Sequence, residues 1–576
     1  MSVTTGNDDA VEPVRVGAQP NLAETIGPDT VTAIADELFE LLADADPINA
    51  TLLGLPGRDH LLADIGEAAQ LALRDQLTAL LTRVDALGGE TQSGAGQDAL
   101  TAAVVRHEAE AAIGRVDARL VEYTITDLFF APAAELLAML PMAGLDTPER
   151  ARAYAARLAA VPALLDQAAQ RHLAGVAAGR LPVARLVARA VRQLDEYLDT
   201  ATPDPLARLA DAEQDEVLET AVRPAFARYR QVLAEQVAPH ARPDERPGLC
   251  WLPDGAAVYR NLVRAHTTTD RTPEELHETG LALMAGLERE YADLGGRVFG
   301  SPDFRATLAR LRNDTGLRWD NEEELLAAAR AAIARAEAAA PRWFARLPGS
   351  RCAVSAVPEA SAAAAPAAYY VPPALDGSRP GTYFANTSRV RERDRVGLEA
   401  IAFHEGVPGH HLQLALAQEL THLPMLRRTG TLTAYAEGWG LYAERLADEM
   451  GLYSDDLARL GMLSADSRRS ARLVVDTGLH ALGWSRGQAV AYLLENTARP
   501  RVEIETDVDR FIAWPGQSLA YLVGRLEFQR ARAQAQQTLG ARFDVRAFHD
   551  LVLGNGALPL SALSAIVAQW TEEFGH

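Results

Sequence analysis

Three of the thirteen histidines in this 576-residue chain fall within eight residues, and Glu405 stands among them. They lie in Ile401-Ala-Phe-His-Glu-Gly-Val-Pro-Gly-His-His-Leu-Gln413. Imidazoles beside a glutamate are the working parts of a hydrolytic zinc site: two rings hold the ion and the carboxylate takes a proton from water. The common spacing is H-E-x-x-H, which sets two histidines on one helical face. Here position 408 is proline, and the next histidines after His404 are His410 and His411.

On an ideal helix His410 is turned roughly 600° from His404 and displaced by about 9 Å. His411 returns to the original face but lies about 10 Å away. Zinc–nitrogen bonds are only about 2 Å long, so neither pair shares an ion on a regular helix. Pro408 lacks the N–H owed to the His404 carbonyl, and Gly406 and Gly409 accept unusual dihedrals. A bulge or kink over 406–409 is therefore expected to bring His410 back towards His404. The alternative, a broken core helix with incidental histidines, leaves four titratable groups in need of buried partners.

A third ligand completes a catalytic site with one open position. Thr433-Ala-Tyr-Ala-Glu-Gly-Trp-Gly-Leu-Tyr-Ala-Glu-Arg445 offers Glu437, with small neighbours Ala436, Gly438 and Gly440 that permit close approach to the metal helix. Glu444 lies two turns on, about 10 Å along the same face, placed to support a ligand or to meet solvent.

The blocks HEGVPGHHLQ and AYAEGWGLYAERL resemble the bacterial "domain of unknown function 885" proteins, regarded as zinc metallopeptidases. The resemblance runs from about Asp46-Pro47 to the end of the chain. Gly409-His410 also resembles the Gly-His closing the zinc motif of thimet-oligopeptidase-like and carboxypeptidase-Taq-like enzymes and of dipeptidyl peptidase III. It favours His410 as second ligand, with His411 as the alternative, and points to Glu437 as the third. One departure is Leu441, which stands where some zinc peptidases carry an aspartate four residues after the ligand glutamate. His480 precedes Gly483-Trp484 much as a transition-state histidine precedes the Gly-Gly-Tyr of the oligopeptidases. The resemblance further implies that Gly381–Asn386 is an edge strand along a cleft, with Tyr383 and Asn386 meeting substrate.

Two further groups are candidates on chemistry. Tyr521 is a phenol suited to an oxyanion, and Arg525 is suited to a substrate carboxylate. Gly483-Trp-Ser-Arg-Gly487 matches a nucleophile elbow, but Ser485 and Gln488 form a capping box, so Ser485 is expected to start a helix and not to attack substrate.

The elements that hold these residues are mainly helices. Alanine and leucine dominate, aromatics make up 6%, and β-branched runs are short. Residues 1–25 lack periodicity and are expected to be disordered. Asp29 caps a helix bearing Ile34, Leu38, Leu41 and Leu42, ended by Asp46-Pro47. Two prolines and four charges in Ala241–Pro247 place a boundary between an N-terminal helical lobe, 26–245, and a catalytic lobe, 246–576. Thr272-Pro-Glu-Glu275 starts a helix that runs to about Leu294. Asp376-Gly377 is a turn signal ahead of the short strand.

The sequence contains no lysine, which excludes Schiff-base chemistry and the phosphate-binding P-loop. A net charge of −22 argues against nucleic acid as partner. The two cysteines, Cys250 and Cys352, make no disulfide framework. The first residues do not read as a signal peptide and no apolar run is of spanning length, so a cytoplasmic setting without membrane contact is expected. The expected protein is a mainly α, two-lobed zinc hydrolase with a deep cleft lined by a short β element, acting on small peptides or amides. A zinc amidase or esterase acting on a small metabolite is the nearest alternative; a metal-free binding protein is the other.

Overall fold

The computed structural model describes residues 30–88, 96–199, 204–209, 212–362, 365–375, 377, 379–430 and 432–575. The expected N-terminal tail and Asp376 of the turn signal lie outside these residues. So does Asp29; Thr30 caps the first helix, α1 (Val31–Ala45), which buries Ile34 and Leu38 as its periodicity requires. Asp46 closes it, and Pro47 opens the next turn.

Long helices follow: α2 (Glu67–Ala86), α3 (Gln97–Asp117) and α4 (Pro148–Ala177). The capping box at Thr272 and Glu275 starts α5, Pro273–Phe299, which outruns its expected end until Gly300 takes the left-handed conformation that stops it. Beyond it come α6 (Glu322–Ala339), α7 (Leu398–Glu405), α8 (His410–Glu419), α9 (Thr433–Glu449) and α10 (Asp456–His480). Ser485 caps the helix Arg486–Asn496 with Gln488 as its reciprocal partner, the role its sequence implies. The helices α11 (Arg501–Ala513) and α12 (Ala520–Leu539) complete the surroundings of the site.

The apolar cores divide differently from the expected lobes. One core unites α1, α2 and α3 with α6, α7, α8, α9 and α12. A second joins α5, α10 and α11, and a third gathers residues between Ile48 and Val237 around α4. The boundary near residue 245 thus does not separate α1–α3 from the helices that carry the histidines. Every residue of α10 from Ser470 to His480 is buried, which makes this helix a central strut. Its Gly478 lies against Trp484, and its flank receives α5.

Three short strands form one sheet: β1 (Ala353–Ala356), β2 (Ala368–Val371) and β3 (Thr382–Ala385), in the order β1-β3-β2. β3 pairs in parallel with β1 and antiparallel with β2. The strand expected at an edge is therefore the central one. Both of its hydrogen-bonding sides are used, so it has none to offer a substrate backbone. Among the described residues no helix is long and apolar enough to cross a membrane.

Candidate metal centre

The segment between His404 and His410 is a complete break, sharper than the kink expected. Helix α7 stops at Glu405 and α8 starts at His410. Gly409 makes the return possible, because a Cβ there would lie 1.9 Å from the His404 carbonyl oxygen. The Trp439 indole N–H donates to the Pro408 carbonyl at 2.9 Å and pins the link from the side of α9. The two imidazoles meet edge to face, with ring centres 4.7 Å apart.

Glu437 reaches in from α9. Its Oε2 lies 3.4 Å from His404 Nε2 and 3.5 Å from His410 Nε2. One ligand atom from each of His404, His410 and Glu437 falls within 4.8 Å of the others. Zinc bonds of about 2.0–2.1 Å imply tetrahedral edges of about 3.3 Å, close to both distances from Glu437. The donor set of two imidazoles and a carboxylate also suits zinc with one position left open. Side-chain exposure falls from 23% at Glu437 and 12% at His410 to 5% at His404, so the approach is from the His410–Glu437 side.

Glu444 answers the question that Leu441 raised. It is buried, and its Oε1 accepts from His404 Nδ1 at 2.9 Å. A proton held on Nδ1 leaves the Nε2 lone pair free to ligate. Gly440 provides the seat for that ring, since a Cβ there would lie 2.6–2.9 Å from three ring atoms. Gly438, expected to serve the same approach, instead packs against Gly524 of α12.

The electrostatics favour a cation. Burial alone would depress His404, yet hydrogen bonds to Glu437 and Glu444, with the charge of Glu405 beside them, raise it to about 10. Burial would raise Glu437, but the two histidines hold it well below the carboxylate range. The acids around His404 thus favour its positively charged form.

The other candidates separate. Glu405 is the last residue of α7, directly after His404. Tyr383 on β3 is buried, and after burial itself the nearby Glu405 charge is the largest influence raising its phenol. Tyr521, at the start of α12, is also raised, first by burial and then by the charge of Glu437, so it belongs to the same surroundings. The guanidinium carbons of Arg472 and Arg469 stand 5.2 and 5.8 Å from its ring centre.

Four expectations are corrected. His411 donates from Nε2 to the Ser350 carbonyl and accepts at Nδ1 from Tyr370, each at 2.9 Å, so no nitrogen remains for a metal. His480 is fully buried; it accepts from the Leu249 N–H at 3.1 Å and donates to the Phe511 carbonyl at 3.0 Å, which spends both nitrogens on backbone. Asn386 is fully buried too, donating to the carbonyls of Ala362, Ala365 and Pro366 and accepting from Ser388, so it clamps a loop and meets no substrate. Arg525 is buried against Asp466, which also holds Arg445. The sequence reading took Gly440 as one of three small residues allowing close approach, without foreseeing that it seats the His404 ring, and it missed the arginines over Tyr521.

The fold and cluster define a mainly helical protein with a carboxylate-supported His-His-Glu constellation. The chain belongs to the family of bacterial proteins of unknown function DUF885, whose model matches residues 47–567. No curated protein matches it. Among solved structures, it is similar to that of a candidate lipoprotein from Colwellia psychrerythraea, at 26% identity and a TM-score of 0.86, covering 94% of this chain and 99% of the other. A candidate lipoprotein of unknown function from Shewanella oneidensis shares the fold at 18% identity and a TM-score of 0.73, with 93% and 99% covered.

Proposed function

We propose that the chain is a zinc-dependent hydrolase that cleaves amide bonds in small peptides. The observation that carries this reading is the convergence of His404, His410 and Glu437, with Glu444 fixing the His404 ring. These three residues would hold the ion. When bound, zinc supplies a Lewis acid for the substrate carbonyl and makes water a nucleophile near neutral pH. Glu405 receives the proton from the attacking water and returns it to the leaving amine. Tyr521 donates its O–H to the oxygen that gains charge. His480 has no part in the step. The resemblance to oligopeptidase motifs supports peptides as substrates, and two free cysteines suit the reducing setting expected from the sequence.

Elemental analysis of the purified chain, followed by digestion of a peptide library, tests the proposal. One zinc per chain is expected, lost in His404→Ala. Full zinc in that variant, or a zinc-loaded chain that hydrolyses neither peptides nor simple amides, refutes it.

A further inference from the structure

Positive charge collects beside Tyr521, where Arg472, Arg510 and Arg469 all act on the phenol. Arg468, Arg469 and Arg472 lie on α10, and Arg510 lies on α11. Arg468 is satisfied by both oxygens of Asp507, each at 3.1 Å. Arg469 comes no nearer to an acid than 3.8 Å from Glu444, whose Oε1 is already bound to His404. Arg472 is 3% exposed, and among the described residues its guanidinium makes no hydrogen bond or ion pair. Its contacts are ring faces: Tyr521 at 5.2 Å and Phe511 at 5.6 Å. Arg510 stands over Phe511 as well, also at 5.6 Å.

A buried cation without a counter-ion is expensive, and folds seldom keep one for stability. Burial first, then Arg468 and Arg510, push Arg472 well below its ordinary range, and the charge of Asp507, whose oxygens are hydrogen-bonded to Arg468, offsets this only in part. The setting sharpens the point, because this cluster of arginines sits inside a chain of net charge −22. A guanidinium presents a planar fork of donors that matches a carboxylate in two places. Tyr521 packs against Arg472 and also feels the charge of Glu437, so an anion held by Arg472 would share the surroundings of the metal cluster.

We infer that Arg472, flanked by Arg469 and Arg510, receives a carboxylate of the substrate, so the site prefers peptides and amides with a free acid close to the scissile bond. This inference rests on the reading of the site as a hydrolase and gives Arg472 the part that Arg525 was expected to play.

The test uses Glu405→Gln, to prevent turnover, and calorimetry with N-acetyl-Ala-Ala-Ala as the free acid and as its C-terminal carboxamide. Both probes are titrated into zinc-loaded and chelator-stripped protein. The free acid is expected to bind about tenfold more tightly or better, the usual size of a charge-assisted contact. The preference should persist without zinc and vanish on adding Arg472→Met. Equal binding of acid and amide overturns the inference. So does a preference that survives Arg472→Met, and if such a preference also requires zinc, the carboxylate is on the metal and the hydrolase reading stands alone. A preference that depends on Arg472 in a chain that never takes up zinc supports the anion site while the hydrolase reading fails. Urea unfolding gives a readout free of ligand: Arg472→Met should leave the midpoint unchanged or raise it, because an unpaired buried charge is removed. A clearly lowered midpoint marks Arg472 as structural and overturns the inference.

Discussion

Glu444 is the most informative residue to perturb, because it touches a ligand and is not one itself. Its carboxylate is 1% exposed and 2.9 Å from His404 Nδ1, with Arg469 3.8 Å away. Glu444→Gln keeps the volume and an acceptor oxygen but removes the charge; Glu444→Ala removes both. Loss of a carboxylate behind a ligating histidine costs about 10- to 100-fold in metal affinity, or about 1.4–2.7 kcal/mol. The upper end is expected for Glu444→Gln, since Arg469 would be left uncompensated beside the cation. Glu444→Ala should be at least as damaging, because His404 Nδ1 loses its hydrogen-bond acceptor. The assay is zinc competition against a chromophoric chelator at pH 7, with circular dichroism to confirm folding. Wild-type affinity in both variants, alongside lost affinity in His404→Ala, would show that the ring is held by other means. Wild-type affinity in all three would remove His404 from the site.

Gly440→Ala places a Cβ 2.6 Å from a His404 ring atom, so zinc affinity should fall sharply in an otherwise folded protein, as the same competition assay reads. Glu405→Gln should retain zinc and lose about 10²-fold or more in turnover of any cleaved peptide, the scale of a general base. Arg525→Met should lower stability in urea by about 3 kcal/mol, the low end for a broken buried ion pair because Arg445 still holds Asp466, with little change in KM. For the metal-free chain the pH dependence follows from His404, raised from 6.5 to about 10. Its contribution is complete below pH 6.5 and is lost as pH rises towards 10, so metal-free stability should decline over that window. Zinc requires the unprotonated ring, so uptake at pH 7 should release protons measurable in a weakly buffered solution.

The sequence made the metal cluster legible because its chemistry is local. His404, Glu405 and His410 sit within seven residues, and Gly and Pro between them announce a break in any helix. Glu437 was found by asking for one more ligand on a helix with small neighbours. What failed depended on partners distant in the chain. Arg525 and Arg472 look alike as residues, and only the fold reveals that Asp466 pairs with one while the other, among the described residues, has no acid within ion-pair distance. His480 has the right neighbours in sequence, yet its nitrogens are claimed by Leu249 and Phe511. The order of the strands was also hidden, because alternation identifies a strand without telling whether it is central or peripheral. The helical class was legible throughout, since composition and capping boxes act within a turn or two; how the cores divide was not.

On a continuous H-E-x-x-H helix, the distance between the two rings is fixed by the pitch of that helix. Here the break gives up that gauge, and α9 replaces it. This helix carries Glu437, seats the His404 ring at Gly440, orients it through Glu444 and holds the broken link through Trp439. Its glycine contact with α12 brings Tyr521 into the same rigid pair, because Gly438 and Gly524 let the two backbones touch. The site therefore behaves as work clamped to a jig: small displacements elsewhere in the molecule leave the registration of its parts intact, whereas a shift of α9 by even a fraction of an ångström would misalign all of them together.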